Sequence, residues 1–419
     1  MNLSVPTGVY VALSAVMFLE YAVWGAWAPV LAARLLGPLK MTGKQTGWVY
    51  STLPIACIVS PLVAGQLADK WVNTEWILAA CHLVGAVLLF VAVGQRTFRG
   101  NFIVMLLYSL CFGATLPLAN AVLFAHVSDP VTQSWVFIWA PVAWSLVGYA
   151  LTAWRVLRKG EGDGSDCLVF AAILSVAMAV CCLFLPATPP AGKGGIPIVD
   201  ALAMLAQPDF LVFILTSLVI AGLMQFYFLG SARFMTDMGI SAKAVPATMA
   251  IAQAAQAVAT IVALGAMLTL LGFKNTLALG ATCWLLMYVI YVVGQPKVLI
   301  IGSQALHGLA YVMFMIVGQV YAATVAPEAI RSSMQALIFA ATTGVGLFLG
   351  SQLAGAVMDQ FSVEGKFQWR KIWAVPLVIM LAGTIVLATV FKGDVPKEDK
   401  KPSKTAQAQA ALDPPALRS

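Results

Sequence analysis

Charge is what this chain has little of. Only 10% of its 419 residues are Asp, Glu, Lys or Arg, where an ordinary soluble domain carries about 25%. Histidine is scarcer still, at three. The seven cysteines lie almost entirely inside apolar runs, with no CxxC and no paired loop spacing. That pattern excludes a disulfide framework and a metal site and leaves small buried core residues. There are no paired carboxylates and no nucleophile with an obvious base, so neither an enzymatic activity nor a cofactor is expected, and no nucleic-acid partner. What fills the sequence instead is hydrophobic side chain, 61% of the total, for a mean hydropathy of +0.90. No soluble domain of useful size is left over.

Apolar stretches of 18 or more residues recur along nearly the whole length, each long enough for a helix to cross roughly 30 Å of hydrocarbon. Residues 1 to 7 carry no charged side chain ahead of the first of them, so a retained helix rather than a cleaved leader is expected. Charged, Pro-rich and Gly-rich punctuation divides the chain into twelve spans: 8–36, 44–68, 74–94, 100–127, 132–156, 166–186, 208–235, 242–271, 275–293, 297–325, 331–358 and 368–391. The longest break, PATPPAGKGGIPIVDALAMLAQPD, separates six spans from six. The expected organisation is an all-α membrane protein of twelve transmembrane helices in two six-helix halves, 1–186 and 208–391, joined by a cytoplasmic linker at 187–207. Residues 392–419 are polar and rich in Lys and Pro, and read as a disordered cytoplasmic tail.

Six-plus-six helices with a central linker is the organisation of many secondary transporters, whose solute sites lie at mid-membrane between the halves. Orientation by charge is awkward. An even number of spans puts both termini on one side, and if that side is cytoplasmic the inner loops hold only Lys70, Lys193, Lys274 and Arg331. The outer ones hold Arg34, Lys40, Lys44, Arg96, Arg99, Arg155, Arg158 and Lys159 among others, against the usual excess of positive charge inside.

Polar residues within the spans are few and therefore informative. Every Asp and Glu except Glu20 falls in a loop, at a helix end or in the tail. A charged group near the bilayer centre costs about 2.5–3.5 kcal/mol on insertion scales, which marks Glu20 as a functional candidate. The competing reading is a neutral, hydrogen-bonded Glu that fastens two helices. Glu20, Trp24 and Trp27 follow i, i+4, i+7 and share a helical face, a plausible cavity wall or an ordinary tryptophan packing stripe.

Gln225 and Phe228, Gln253 and Gln256, and His307 and Tyr311 form similar pairs at helical spacing inside later spans. Amides donate and accept, and aromatic faces stack on planar rings, so together these residues suit a neutral polar ligand; singly, each amide would also serve as interhelical glue. His307 titrates in the physiological range when unperturbed. His82 and His126, placed nearer helix ends, carry no assignment. Gly344, Gly346, Gly350 and Gly355 in the eleventh span suit close backbone approach.

Between spans two and three, GQLADKW places Gly65, Asp69 and Lys70 in a G-x-x-x-D-K arrangement. It resembles the loop signature of the major facilitator superfamily, where the carboxylate helps hold one closed state and the loop is cytoplasmic. FLEYAVWGAW, TGWVYSTLPIACIVSPLVAGQLADKW, ATLPLANAV and APEAIRSSMQALIFAATTGVGLFLGSQLAG resemble the bacterial nucleoside permeases, the nucleoside:proton symporters of that superfamily, and the likeness runs over nearly all twelve spans. The resemblance implies twelve helices, cytoplasmic termini, an inner-membrane location, a monomeric working unit, and uptake of nucleosides driven by protons.

Position by position, Gln225 and Gln253 match polar residues that the family uses at the substrate, and Asn120 closes the T-L-x-L-x-N pattern. Elsewhere the chain departs. The family's helix-five pattern P-P-I-R-I-W-G-T-I-G reads VFIWAPVAW, which puts Phe137 at the arginine, Pro141 at the threonine and Trp144 at an aromatic. The carboxylate of S-Q-x-S-E becomes Gln256, and Y-G-x-A-F-D-F-F reads HGLAYVMF, giving His307 for the tyrosine, Tyr311 for the phenylalanine and Val312 for the aspartate. Two acids and an arginine are gone, and Glu20 stands where the family commonly carries Gln. The expectation is that Glu20, with His307, carries the proton, and that Trp24, Trp27, Asn120, Trp144, Gln225, Phe228, Gln253, Gln256, His307 and Tyr311 bind the solute. A carrier for a sugar or small amide, possibly uncoupled, and a non-transporting sensor on the same fold are the competing functions.

Overall fold

The computed structural model describes residues 5–158, 162–190, 202–327 and 330–395. The cytoplasmic linker expected at 187–207 falls largely outside the described residues, and the tail expected at 392–419 almost wholly so. Among the described residues, eleven helical spans are long and apolar enough to cross a membrane, and Asp166–Cys182 is a shorter apolar helix.

The first span is α1 (Thr7–Trp27) continued by α2 (Leu31–Leu36). Then come α3 (Gly43–Lys70), α4 (Thr74–Val93) and α5 (Phe98–His126), followed by α6 (Pro130–Phe137) and α7 (Trp139–Leu157) in one span and α8 (Asp166–Cys182). The later helices are α9 (Pro208–Asp237), α10 (Val245–Val262) and α11 (Leu264–Val293). The next span joins α12 (Lys297–Gly302), α13 (Gln304–Ala310), a π-helical turn at Tyr311–Ile316 and α14 (Val317–Val325). After it come α15 (Arg331–Phe339), a second π-helical turn at Ala340–Gly346, α16 (Leu347–Gln360) and α17 (Trp369–Thr389).

The punctuation read from sequence has local causes. The break expected between 271 and 275 is at Gly272, whose φ of +67° and ψ of −177° interrupt α11 in a backbone region essentially confined to glycine. A two-residue turn at Glu364 and Gly365, both at positive φ, closes the short hairpin of Ser362–Val363 with Lys366–Phe367. Thr42 and Gln45 form a capping box that starts α3.

Helices before residue 190 pack mainly on one another, as do those after 202, and the largest cross-contacts are α3 on α16 and α7 on α10. Both lie toward the end of the bundle where α1 finishes. There Gly43 and Gly47 of α3 face the backbone of Gly355 and Ser351, and Gly148 of α7 faces Pro246 and Ala250. Side-chain bonds reinforce the contact: Gln352 donates to Ser51 at 2.7 Å, Ser145 to the Ala250 carbonyl at 3.2 Å, and the Ala247 amide to Thr152 at 2.8 Å.

Three of the cations that made the orientation awkward are neutralised at this same end. Arg155 grips Asp166 through two hydrogen bonds of 2.8 and 2.7 Å. Arg96 donates to Asp163 at 2.6 Å. The fully buried Arg34 lies 3.6 Å from Asp163 and donates to the carbonyls of Val93 and Gln95.

Candidate functional site

Glu20 sits two-thirds of the way along α1 and is 0% exposed. Its carboxylate has specific partners from two other helices. Nε2 of His82, on α4, lies 2.8 Å from Oε2, and the Thr115 hydroxyl of α5 donates to Oε1 at 2.7 Å. Ser175 of α8 completes the group: its hydroxyl donates to the His82 carbonyl at 2.9 Å and lies 3.1 Å from Nδ1 of the same residue. With the one proton of that hydroxyl on the carbonyl, Nδ1 is the donor to Ser175. The face of His82 turned to Glu20 is then Nε2, and one hydrogen is shared between ring and carboxyl.

His82 had been placed near a helix end; it is the ninth of the twenty residues of α4. Counted at about 1.5 Å per residue, Glu20, His82, Thr115 and Ser175 lie roughly 20, 12, 16 and 10 Å from the same end of the bundle. The spread shows that the stagger of the four helices, which spacing along the chain does not give, brings them together.

The second polar group is in the later helices. Gln225 on α9 and Gln253 and Gln256 on α10 are all buried, and the side-chain oxygens of Gln225 and Gln256 have no hydrogen-bond partner among the described residues. An unpaired buried acceptor costs about 1–3 kcal/mol, a cost that a hydrogen-bond donor reaching either oxygen would offset. Gly308 makes the packing possible: a side chain there would collide with the Ala252 carbonyl, so α13 lies directly against the α10 face that carries both glutamines.

His307 is brought to this group, not to Glu20. The Trp284 indole donates to its Nδ1 at 3.0 Å, which leaves the ring hydrogen on Nε2. Its ring stacks on Tyr227 with centroids 3.9 Å apart and meets Phe228 edge-on at 6.3 Å. Tyr311 opens the π-helical turn one helical step further on, a local widening often found at functional positions.

Aromatic rings run without a break from the first group to the second. His82 meets Phe112 at 6.1 Å, Phe112 meets Trp24 at 6.2 Å, Trp24 meets Trp144 at 5.2 Å, and Trp144 meets Phe228 at 6.4 Å. Gly25 is why Trp144 fits, since a Cβ there would stand 2.8 Å from the indole ring. Trp27 shares the α5-facing side of α1 with Glu20 and Trp24, which meet Thr115 and Phe112, and is held in the core there by a hydrogen bond from its indole to Tyr108 at 3.2 Å and by ring contacts with Tyr50 and Tyr108. Asn120 is half-buried near the other end of α5, with no hydrogen bond from its side chain among the described residues.

The expected gating residues divide. Gly346 and Gly350 face the backbone of Leu218 and Gly222 on α9, which is packing within the later helices. Gly65 borders open space, Asp69 is half-buried and Lys70 exposed, and neither makes an ion pair among the described residues. A further contact binding α3 to the later helices was not foreseen: the Asp359 carboxylate accepts from the amides of Gly43, at 2.5 Å, and Lys44, at 3.0 Å.

The family model described as "Nucleoside H+ symporter" matches residues 7–395. The chain is 27% identical over 399 residues to the nucleoside permease NupG of Escherichia coli, covering 90% of this chain and 94% of that one. It is 30% identical over 400 residues to the putative nucleoside transporter YegT of the same organism, covering 90% and 92%. The crystal structure of nucleoside transporter NupG superposes with a TM-score of 0.81 at 24% identity, over 92% of this chain and 99% of that one, so the fold is of the major facilitator kind. With its model matched along almost the whole chain, this multi-pass membrane protein belongs to the nucleoside H+ symporter family and is a secondary transporter.

Proposed function

We propose that the protein imports nucleosides, or a related neutral ring-bearing polar solute, by alternating access and in symport with protons. The observation that carries the solute reading is the two buried amide oxygens of Gln225 and Gln256, partnerless among the described residues, on helices that pack with those carrying Phe228 and His307. Hydroxyl or ring N–H groups of a nucleoside would satisfy those oxygens, and Trp24, Trp144 and Tyr311 would offer faces to the base. Gln253 and Asn120 would supply further polar contacts, and Trp27 would support the wall from behind. Family membership and the names of the relatives favour this solute class. The protonatable group is Glu20, the one carboxylate deep in a span.

In this reading the chain is two six-helix halves, 1–186 and 208–391, moving about the site between them, with both termini cytoplasmic in the inner membrane. The contacts of α3 with α16 and of α7 with α10 then close the outer end. Gly65, Asp69 and Lys70 would act in the opposite state, which fits their lack of ion pairs here.

Proteoliposomes holding wild type or Glu20→Gln, with and without a pH gradient, and uridine, adenosine and xanthosine as solutes test both parts. Gradient-driven accumulation by wild type and its loss in Glu20→Gln are expected. Equal proton dependence in the two proteins sinks the assignment of Glu20, and no uptake of any of the three solutes sinks the solute class.

A further inference from the structure

Resting on the reading of Glu20 as the proton carrier, we infer that the proton is held by a pair, Glu20 with His82, in a site built wholly from α1, α4, α5 and α8. The geometry specifies where the proton goes. Ser175 receives Nδ1–H, so Nε2 is the ring atom that binds and releases, and the transported proton bridges Nε2 and Oε2 across 2.8 Å. Without that proton a carboxylate oxygen would face an imidazole lone pair at contact distance, with both side chains about 1% exposed; the arrangement described is therefore the loaded form. Thr115 has one hydroxyl proton and two acceptors at 2.7 Å, Oε1 of Glu20 and the Phe112 carbonyl. Its hydrogen can swing from one to the other while the oxygen stays in place, so Oε1 can change its hydrogen-bonding role without repacking.

His82 is the sole ion-pair partner of Glu20 among the described residues. The other titratable groups that interact with Glu20 electrostatically are Tyr21 on α1, Cys81 on α4, Tyr108 on α5 and Cys182 on α8. Of the helices packed on α1, α7 meets it with Trp139 on Phe18 and Trp144 on Trp24, neither of which titrates. His307, by contrast, spends Nδ1 on the Trp284 indole and lies among the solute-facing rings.

The test uses the full-length protein. pH-difference infrared spectra of the purified carrier isolate the Glu20 carboxyl as the signal that Glu20→Gln removes; no solute is needed. In His82→Gln the pH midpoint of that signal is expected to move by about one unit or more, a tenfold change in proton affinity. In proteoliposomes the same variant should lose gradient-driven uridine accumulation by about tenfold while uridine counterflow at equal pH stays within about twofold, since exchange needs no net proton movement. A midpoint unchanged from wild type overturns the pair even if accumulation falls, because a merely structural histidine leaves the titration where it was. Wild-type accumulation in Glu20→Gln overturns instead the reading of Glu20 on which the pair rests. Should His82→Gln fail to fold, Ser175→Ala keeps both partners and removes the acceptor of Nδ1–H; an unmoved midpoint there overturns the pair equally.

Discussion

Asp359 is the residue whose loss should most directly bias the conformational equilibrium. The first amides of a helix have no partner within it, and α3 satisfies its own in two ways. Gln45 N–H is bonded to the Thr42 hydroxyl at 3.1 Å, whereas Gly43 and Lys44 donate to Asp359, which reaches across from the far end of α16. Opening this end of the bundle breaks the second set and spares the first. Asp359→Asn keeps an acceptor but removes the charge facing a helix N-terminus, a loss of about 1 kcal/mol; Asp359→Ala removes both, for about 2 kcal/mol. At 1.4 kcal/mol per factor of ten, the closed arrangement should be disfavoured about fivefold and about thirtyfold. Amide hydrogen exchange resolved to single residues reads this directly: exchange at Gly43 and Lys44 should quicken by those factors while Gln45, held by its own cap, keeps its rate. Unchanged rates at Gly43 and Lys44 in Asp359→Ala, or equal acceleration at Gln45, refute the reasoning, the latter because it would mean that α3 frays rather than that the interface opens.

Two further outcomes follow from groups already described. Gln225→Leu and Gln256→Leu each remove an unpartnered buried oxygen, so melting temperature should hold or rise, while uridine affinity in a thermal-shift titration falls about tenfold, about 1.4 kcal/mol; a variant that melts well below wild type marks its glutamine as a structural amide. Asp163, outside the spans, is partly buried, which pushes its carboxyl up, but hydrogen bonds from Ser165 and Arg96 and the charge of Arg34 outweigh this and hold it at about 2, below the usual 3.8. A depressed folded value means stability present above the unfolded value and lost as pH falls through the folded one, so wild type should lose more melting temperature between pH 4 and pH 2 than Asp163→Asn, and parallel losses would contradict the ion-pair cluster.

The helices were legible because hydrocarbon imposes a length and loops impose punctuation. Gly272 was visible as a break since few other residues tolerate its φ and ψ. Glu20 stood out for the same reason, a carboxylate in a run where insertion is costly. His82 did not, although it lies within the expected span 74–94, because one helix read alone shows a histidine and not the carboxylate beside it. The pairing is a property of depth across four helices, and sequence spacing within any one of them says nothing of it. The wheel that joined Trp24 and Trp27 to Glu20 gave the shared face, which meets Phe112, Tyr108 and Thr115 of α5, but it gives only a direction from the helix axis, while residues on other helices decide whether that direction is core or cavity. Asp359 was missed because a helix-end acid looks like a loop residue until the helix it caps is known.

The separation of the two polar groups constrains how symport can work. The Glu20 pair lies among the earlier helices and the glutamines among the later ones, with four ring-to-ring steps between His82 and Phe228 and no hydrogen bond joining them among the described residues. If Glu20 carries the proton and the glutamines hold the solute, as proposed, coupling runs through an equilibrium that both sites bias, and the α7–α10 contact is placed to provide it, since Trp144, Gln253 and Gln256 sit on the two helices that form it. Trp24, one turn from Glu20 and in ring contact with Trp144, ties the state of the acid helix to that contact. Replacing Trp24 by Leu, which keeps an apolar side chain but removes the ring contacts, should therefore weaken the dependence of solute affinity on pH more than it weakens affinity at the optimum. Uridine binding measured across pH would show it: an affinity loss uniform at every pH would mean that Trp24 only touches the solute, and that the halves communicate elsewhere.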